Sequence, residues 1–207
     1  MLVNVYVDGF NLYYSCLRNT PYRWLNLHTF CTLLFPQNTI REIKYFTAVV
    51  HSESNDPQKQ QRQQIYLRAL KTIPNIRIIY GNFRSYSVNL PLASPSPKMP
   101  SSVDVIKTEE KGSDVNLATH LLIDGFLNRY ETAVVVSNDS DLVAPIKAVR
   151  DVLKIPVINV NPSKMPGTQL RKAATYIKPV REWALAASQF PNELEDATGL
   201  FRKPNVW

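Results

Sequence analysis

Runs of apolar, often β-branched residues alternate along the chain with segments whose apolar positions recur every three or four residues. Leu2 to Val7 is apolar apart from Asn4 and predicts a buried strand. Asp8-Gly9 breaks it, and Phe10 to Leu17 predicts a helix. Asn26 is a suitable N-cap for a short helix over His28 to Leu34, stopped by Pro36. Ile40 to Val50 predicts a second strand. Asp56-Pro57 offers a cap followed by proline at the first helical position. The helix it opens runs to Ile73, with Ile65, Tyr66, Ala69, Leu70 and Ile73 as its apolar stripe and Gln64, Arg68 and Lys71 facing away. Ile76 to Tyr80 predicts a third strand.

Residues 81 to 102 break this rhythm. Pro91, Pro95, Pro97 and Pro100 alternate with Ser94, Ser96, Ser101 and Ser102, which predicts a surface excursion and not a core element. Val103 to Lys107 reads as a short strand returning from it, and Glu109-Glu110 as loop. Ser113 then caps a helix from Asp114 to about Tyr130, with Val115, Leu117, Ala118, Leu121, Leu122 and Phe126 as core contacts. Thr132 to Val136 is the clearest strand. A helix over Leu142 to Leu153, a strand over Pro156 to Val160, a short helix over Gln169 to Ala174 and Tyr176-Ile177 complete the pattern. The tail after Pro191 reads as loosely packed. Strands alternating with helices predict an α/β sandwich with a mostly parallel sheet, whose ligands bind beyond the C-terminal ends of the strands.

Composition narrows this picture. At 207 residues, 44% hydrophobic and 20% charged, the chain reads as one globular domain with a small appendage. The expected division is a domain over 1–182, with an excursion at 81–106, and a tail over 183–207. No apolar run is long enough to span a membrane, and Met1 to Asp8 lacks the basic start of a signal peptide. Cys16 and Cys31 make neither a disulfide framework nor a zinc site, and a cytoplasmic location is expected. No G-x-x-x-x-G-K-[ST] or G-x-G-x-x-G segment occurs, which argues against P-loop and dinucleotide chemistry.

The net charge of +7 has a single source. Residues 57 to 103 contain no acid but carry Lys59, Arg62, Arg68, Lys71, Arg77, Arg84 and Lys98, interleaved with Tyr66, Tyr80, Phe83 and Tyr86. Such a strip suits a polyanion. It equally suits a solvated face whose cations neighbour acids from elsewhere in the fold.

The acids are placed differently. Asp8 ends the first strand, Asp139 and Asp141 follow the fourth, and Asp114 begins a helix. Each has an ordinary reading as a turn, cap or first-turn acid. Jointly they fall on one edge of a parallel sheet, where unpaired carboxylates repel until a divalent cation joins them. Oxygen-only ligation suits Mg²⁺ or Mn²⁺. Ser113, Ser137 and Ser140 lie nearby without an obvious base partner, so a serine hydrolase is weakly supported.

Three segments resemble one family. Val7-Asp8-Gly9-Phe10-Asn11 is similar to the Asp-Gly-x-Asn opening of the NYN domain. Lys111-Gly112-Ser113-Asp114 and Ser137-Asn138-Asp139-Ser140-Asp141-Leu142 are similar to its Lys-Gly-x-Asp and Ser-Gly-Asp-x-Asp-Phe motifs, in the LabA-like branch. The resemblance covers residues 2 to about 180. It implies a PIN-like Rossmannoid three-layer sandwich and Mg²⁺- or Mn²⁺-dependent cleavage of RNA. Asp8, Asp114, Asp139 and Asp141 match the acidic metal cluster. Asn11 matches the motif asparagine, which would contact the metal site or the phosphate. Asp141 would hold a water or a second ion. His120 stands where many relatives have an aspartate. It reads as a Mn²⁺ ligand, a group behind the ligands, a general acid titrating near neutrality, or a residue that only bonds a neighbour. Asn138 replaces a common Gly, and Leu142 a Phe.

RNA is thus the expected partner, with Arg68, Lys71, Arg84 and Lys111 as its contacts. The Pro/Ser excursion and the tail ending in Trp207 are the segments open to homodimerisation. A non-catalytic RNA-binding or regulatory module with a degenerate metal site is the alternative. A phosphatase or phosphodiesterase acting on small nucleotides is a further rival.

Overall fold

The computed structural model describes residues 1–94, 101–163, 165 and 167–207. A six-stranded sheet runs through its centre in the order β3-β2-β1-β6-β7-β8, every pairing parallel. The strands are β1 (Leu2–Asp8), β2 (Thr39–Thr47), β3 (Ile76–Tyr80), β6 (Thr132–Val136), β7 (Val157–Asn161) and β8 (Tyr176–Pro179). The apolar runs of the sequence occupy the middle of this sheet, because a strand covered on both faces has no solvent side for polar residues. All five residues of β6 are buried.

Helices cover both faces. Val3, Val5 and Val7 of β1 point into one core, shared with α2 (Leu27–Leu34), α3 (Lys59–Lys71) and α7 (Glu182–Ala187). Tyr6 points the other way, into a core built with α4 (Ser113–Phe126), α5 (Val143–Lys147) and α6 (Thr168–Ala173). Period-two alternation within one strand thus feeds two helical layers, giving the expected three-layer α/β sandwich. Asn26 caps α2 by accepting the amide of Thr29. The first helix is short: α1 (Gly9–Leu12) gives way to a π-turn over Tyr13–Leu17.

The strand order reverses direction between β1 and β6. Here β1 has β2 on one side and β6 on the other, so the connections leave toward opposite edges. Such a switch point opens a crevice beyond the strand ends, where doubly wound sheets bind ligands.

Four expectations are corrected. Residues 81–102 do not begin as an irregular loop: β4 (Asn82–Pro91) pairs antiparallel with β5 (Ser102–Lys111) in a ribbon apart from the main sheet. Glu109 and Glu110 belong to β5, not to a loop. The ribbon gains ten paired residues on each strand from backbone hydrogen bonding, which the proline-rich tip concealed. Pro95, Ser96, Pro97, Lys98 and Pro100 lie outside the described residues. Second, α3 starts at Lys59, and Asp56 uses its carboxylate on Arg62 and not as a cap. Third, α4 ends at Phe126, with Val115 and Phe126 on its outer side, 69% and 65% exposed. Ser113 lies inside α4 and does not cap it; its amide and hydroxyl both donate to Glu110 Oε1.

Fourth, the tail is packed. β9 (Glu193–Asp196) and β10 (Gly199–Arg202) form a hairpin with Phe201 buried. Fully buried Trp24 donates its indole N–H to the Pro191 carbonyl and packs on Phe190 and Trp207. The aromatic residues found here a partner on the first helical layer that local periodicity does not reveal.

Candidate metal centre at the sheet switch point

Asp8 is the last residue of β1, and Ser137 follows the last residue of β6. Val7 pairs with Val136, so the two chain ends emerge side by side. Ser137 Oγ donates to Asp8 Oδ2 at 2.9 Å, and the amide of Asn11 donates to Asp8 Oδ1 at 2.9 Å. Asp8 thereby caps α1 while remaining 6% exposed. The amide of Asp139 donates to Ser137 Oγ, and Asp139 Oδ1 accepts the amide of Asp141. Asp114 reaches the same crevice from the first turn of α4.

Two glycines of the motifs have steric reasons. A Cβ on Gly9 would lie 2.6 Å from the Tyr45 ring and 2.8 Å from the Phe46 carbonyl, so only glycine lets β2 close against this turn. Gly112 adopts a φ of 101°, the left-handed conformation that delivers the chain from β5 into α4.

Carboxylate oxygens of Asp8, Asp114 and Asp139 lie within 4.8 Å of one another. No Lys, Arg or His forms an ion pair with any of them among the described residues. Burial pushes the Asp114 carboxyl up to about 6, and the charges of Asp8 and Asp139 add to the effect. Burial also raises Asp8, against the hydrogen bonds from Asn11 and Ser137. Three converging oxygens with uncompensated charge are the donor set of a hard divalent cation, so these residues fit a metal ion.

A cleft of about 390 Å³ lies over the triad. Phe10, Asn11, Tyr14 and Phe83 form walls around it, with Glu110 and Ser113 at the base of the ribbon. Glu110 reaches the cleft through the β4–β5 pairing, in which it lies opposite Phe83. Phe83 packs edge-on against Phe10, tying the ribbon to α1.

A set of amides behind the cleft also escaped the sequence reading. Buried Asn159 donates to the carbonyls of Val135 and Ser137, and Asn161 donates to Asn138 Oδ1 at 2.9 Å. Asn138 in turn donates its amide to Asn11 Oδ1. These contacts hold the turn that carries Asp139. Asn11 therefore lines the cleft and braces this turn at once. Asparagines at a strand end after a Val/Ile run are the only signal for them in the sequence.

Asp141 is exposed and lies outside the triad, though its charge reaches Asp114. His120 is separated from the triad. Its ring packs on Phe46, and its Nδ1 lies 3.5 Å from the Lys44 ammonium. Lys44 and Asp124 form a buried ion pair to which Tyr6 donates a hydrogen bond, and Arg129 joins Asp124 from the surface. Burial lowers the pKa of His120, and the Lys44 charge lowers it further. His120 thus belongs to this structural network and not to the ligand set.

The basic strip is largely neutralised. Lys59 pairs with Glu53, Arg62 with Asp56, Arg68 with Asp196 and Arg77 with Glu42. Arg68 is fully engaged: it holds Asp196 through two hydrogen bonds of 2.7 Å, donates to the Gly199 carbonyl and stacks on Phe201. Arg68 thus lies on the outer side of α3, as its spacing predicts, but fastens the C-terminal hairpin there. Lys111 pairs with Glu109 at 2.8 Å. Lys71 is exposed on α3, and Arg84 is exposed on β4, opposite Glu109.

The NYN domain matches residues 2–181. Over 231 aligned positions the chain is 29% identical to 6-hydroxy-3-succinoylpyridine 3-monooxygenase HspA of Pseudomonas putida (strain DSM 28022 / S16), covering 98% of this chain and 72% of that protein. The fold is shared with VPA0982, a protein of unknown function from Vibrio parahaemolyticus RIMD 2210633. Its crystal structure superposes with a TM-score of 0.54 at 16% identity over 87% of this chain and 93% of that one. With three of the motif acids gathered at the switch point of a parallel sheet and the match spanning residues 2–181, the protein belongs to the NYN domain family.

Proposed function

We propose that the protein is a metal-dependent ribonuclease that hydrolyses phosphodiester bonds with Mg²⁺ or Mn²⁺ held by Asp8, Asp114 and Asp139. The carrying observation is the convergence of three carboxylates without a basic partner in an open cleft. A bound divalent cation supplies positive charge to a phosphoryl group and lowers the pKa of water. The chain's own contribution is placement. Asp8 is oriented by Ser137 and Asn11, and Asp139 by the Asp141 amide. Asp141, exposed and outside the triad, adds its negative charge to the site. Phe10, Tyr14 and Phe83 offer ring faces to bases of a single strand. Arg84 and Lys111 are the remaining contacts for its phosphates; Arg68 is held by Asp196, and Lys71 ends α3 near the N-terminal edge of the sheet, away from the cleft.

Purified Asp8→Asn and Asp139→Asn proteins are expected to cleave RNA at least ~100-fold more slowly than wild type in Mg²⁺ or Mn²⁺. Equal rates would refute the assignment. Calorimetric titration with each ion separates the enzyme from a non-catalytic RNA-binding module: a silent titration at millimolar ion favours the module. HspA is named for oxygenating a substituted pyridine. A chain that consumes oxygen with such a pyridine and leaves RNA intact would place it with that relative's chemistry instead.

A further inference from the structure

A second cavity, of about 240 Å³, shares Phe10 and Tyr14 with the carboxylate cleft. Its other walls include the rings of Tyr13, Tyr45, Tyr66 and Trp207. These rings brace one another: Tyr13 meets Tyr14 edge-on at 5.2 Å, Tyr45 meets Tyr66 at 6.3 Å, and Tyr66 meets Trp207 at 5.9 Å. Half of Tyr14 is exposed, so its ring is available at the mouth. The volume lies below the ~300–1,000 Å³ that encloses a drug-sized ligand, so the cavity takes one ring system and not a run of nucleotides.

The polar groups of the cavity differ in what they are already doing. Tyr66 donates its hydroxyl to the Leu25 carbonyl, and Gln63 is bonded to Ala48 and Val50. Lys59 and Arg62 are paired with Glu53 and Asp56. Arg23 donates to the carbonyls of Thr20 and Val206. Several groups are left, among them the Tyr45 hydroxyl and the Arg18 guanidinium. The Tyr45 hydroxyl has no hydrogen-bond partner among the described residues, although Tyr45 is only 7% exposed. It is held at this wall by the missing side chain of Gly9. The Arg18 guanidinium sits 5.5 Å from the centre of the Tyr14 ring and has no carboxylate partner among the described residues.

Stacking faces, one hydrogen-bonding hydroxyl inside and one free guanidinium on the rim match one kind of ligand. We propose that this cavity binds a planar heteroaromatic ring carrying an adjacent anionic group, namely a nucleobase with its phosphate. The base stacks against the ring wall, the Tyr45 hydroxyl bonds one of its edge atoms, and Arg18 holds the phosphate with two N–H donors. The placement of that nucleotide next to a strand lying in the carboxylate cleft rests on the nuclease reading; the binding itself does not. The same chemistry is presented by a nucleotide within a polymer and by a free nucleoside monophosphate.

Both sources can be examined by calorimetry in excess chelator, where no cleavage occurs. One arm titrates AMP and, as its control, inorganic phosphate. The other titrates a 2′-O-methyl octanucleotide and the same octamer with a single abasic position. AMP is expected to bind at least tenfold more tightly than phosphate, or the abasic octamer at least tenfold more weakly than the intact one. The first result alone identifies a free nucleotide as ligand; the second identifies a base of a polymer. Arg18→Gln and Tyr45→Phe are expected to weaken this base-dependent binding several-fold. Tyr45→Phe removes one oxygen and keeps the packing, so its effect is not one of folding. The proposal is overturned if neither arm depends on a base, or if both variants bind as wild type does. Base-dependent binding in a protein that never cleaves RNA would sink the nuclease reading alone. RNA cleavage without base-dependent binding would sink this proposal alone.

Discussion

Asp114 is the residue whose environment speaks most directly. Its carboxyl is held near 6 by burial and by two neighbouring carboxylates, so its charged form is disfavoured in the folded protein and not in the unfolded one. A carboxyl with a raised folded pKa binds protons more readily when folded. The protein without metal should therefore gain stability as pH falls from about 7 to about 5. Asp8 shifts in the same direction and adds to the effect. Thermal melts in chelator check this, and the slope should reverse when a divalent cation occupies the triad, because protons then compete with it. Asp114→Asn is expected to stabilise the metal-free protein by roughly 1–2 kcal/mol, after allowing for partial exposure, and to abolish stabilisation by the ion. A metal-free melt that is flat over this range, or a variant still stabilised by Mg²⁺ and Mn²⁺, would count against the electrostatic account.

Among the elements, the C-terminal hairpin is the one whose attachment can be tested most cleanly. β9 and β10 have no strand partner in the main sheet, and their link to α3 runs through Arg68. Asp196 is held well below the ordinary carboxylate range by hydrogen bonds from Arg68 and Thr198. Arg68→Ala removes the fork on Asp196, the bond to the Gly199 carbonyl and the stacking on Phe201 together. Amide exchange of residues 193–202 is then expected to accelerate while that of β1 and β6 stays slow, since locally fastened units open without global unfolding. RNA affinity should be unchanged by this substitution. A parallel loss of affinity would restore Arg68 to the binding surface. The β4–β5 ribbon is tied differently, through the contact of Phe83 with Phe10 and the bonds from Ser113 to Glu110, and so belongs to the cleft.

At the scale of the whole molecule, Trp24 joins the first helical layer to the last residues of the chain. It is fully buried against Tyr66, Phe190 and Trp207. Trp24→Ala is expected to cost about 3–5 kcal/mol, because a large apolar side chain is deleted from a packed site and the Pro191 carbonyl loses its donor. A denaturant titration with an unchanged midpoint would mean that the C-terminal segment is not part of the cooperative unit. No helix among the described residues is long and apolar enough to cross a membrane. The alternation of apolar runs and amphipathic segments was sufficient for the α/β class and for five of the six strands of the sheet, since burial on both faces leaves a direct mark on a strand's composition; the short edge strand β8, only four residues and half exposed, was not legible as one. Position along the chain did not tell which groups meet. The ribbon was hidden because antiparallel pairing is satisfied by backbone atoms and asks little of side chains. The tail's aromatic residues, the asparagines behind Asp139 and the separation of His120 from the triad all depend on contacts between distant segments. The +7 charge shows the same division. Its excess of cations is readable in one strip of sequence, but Coulomb interactions follow distance in space, and only the fold brought Glu42 to Arg77 and Asp196 to Arg68.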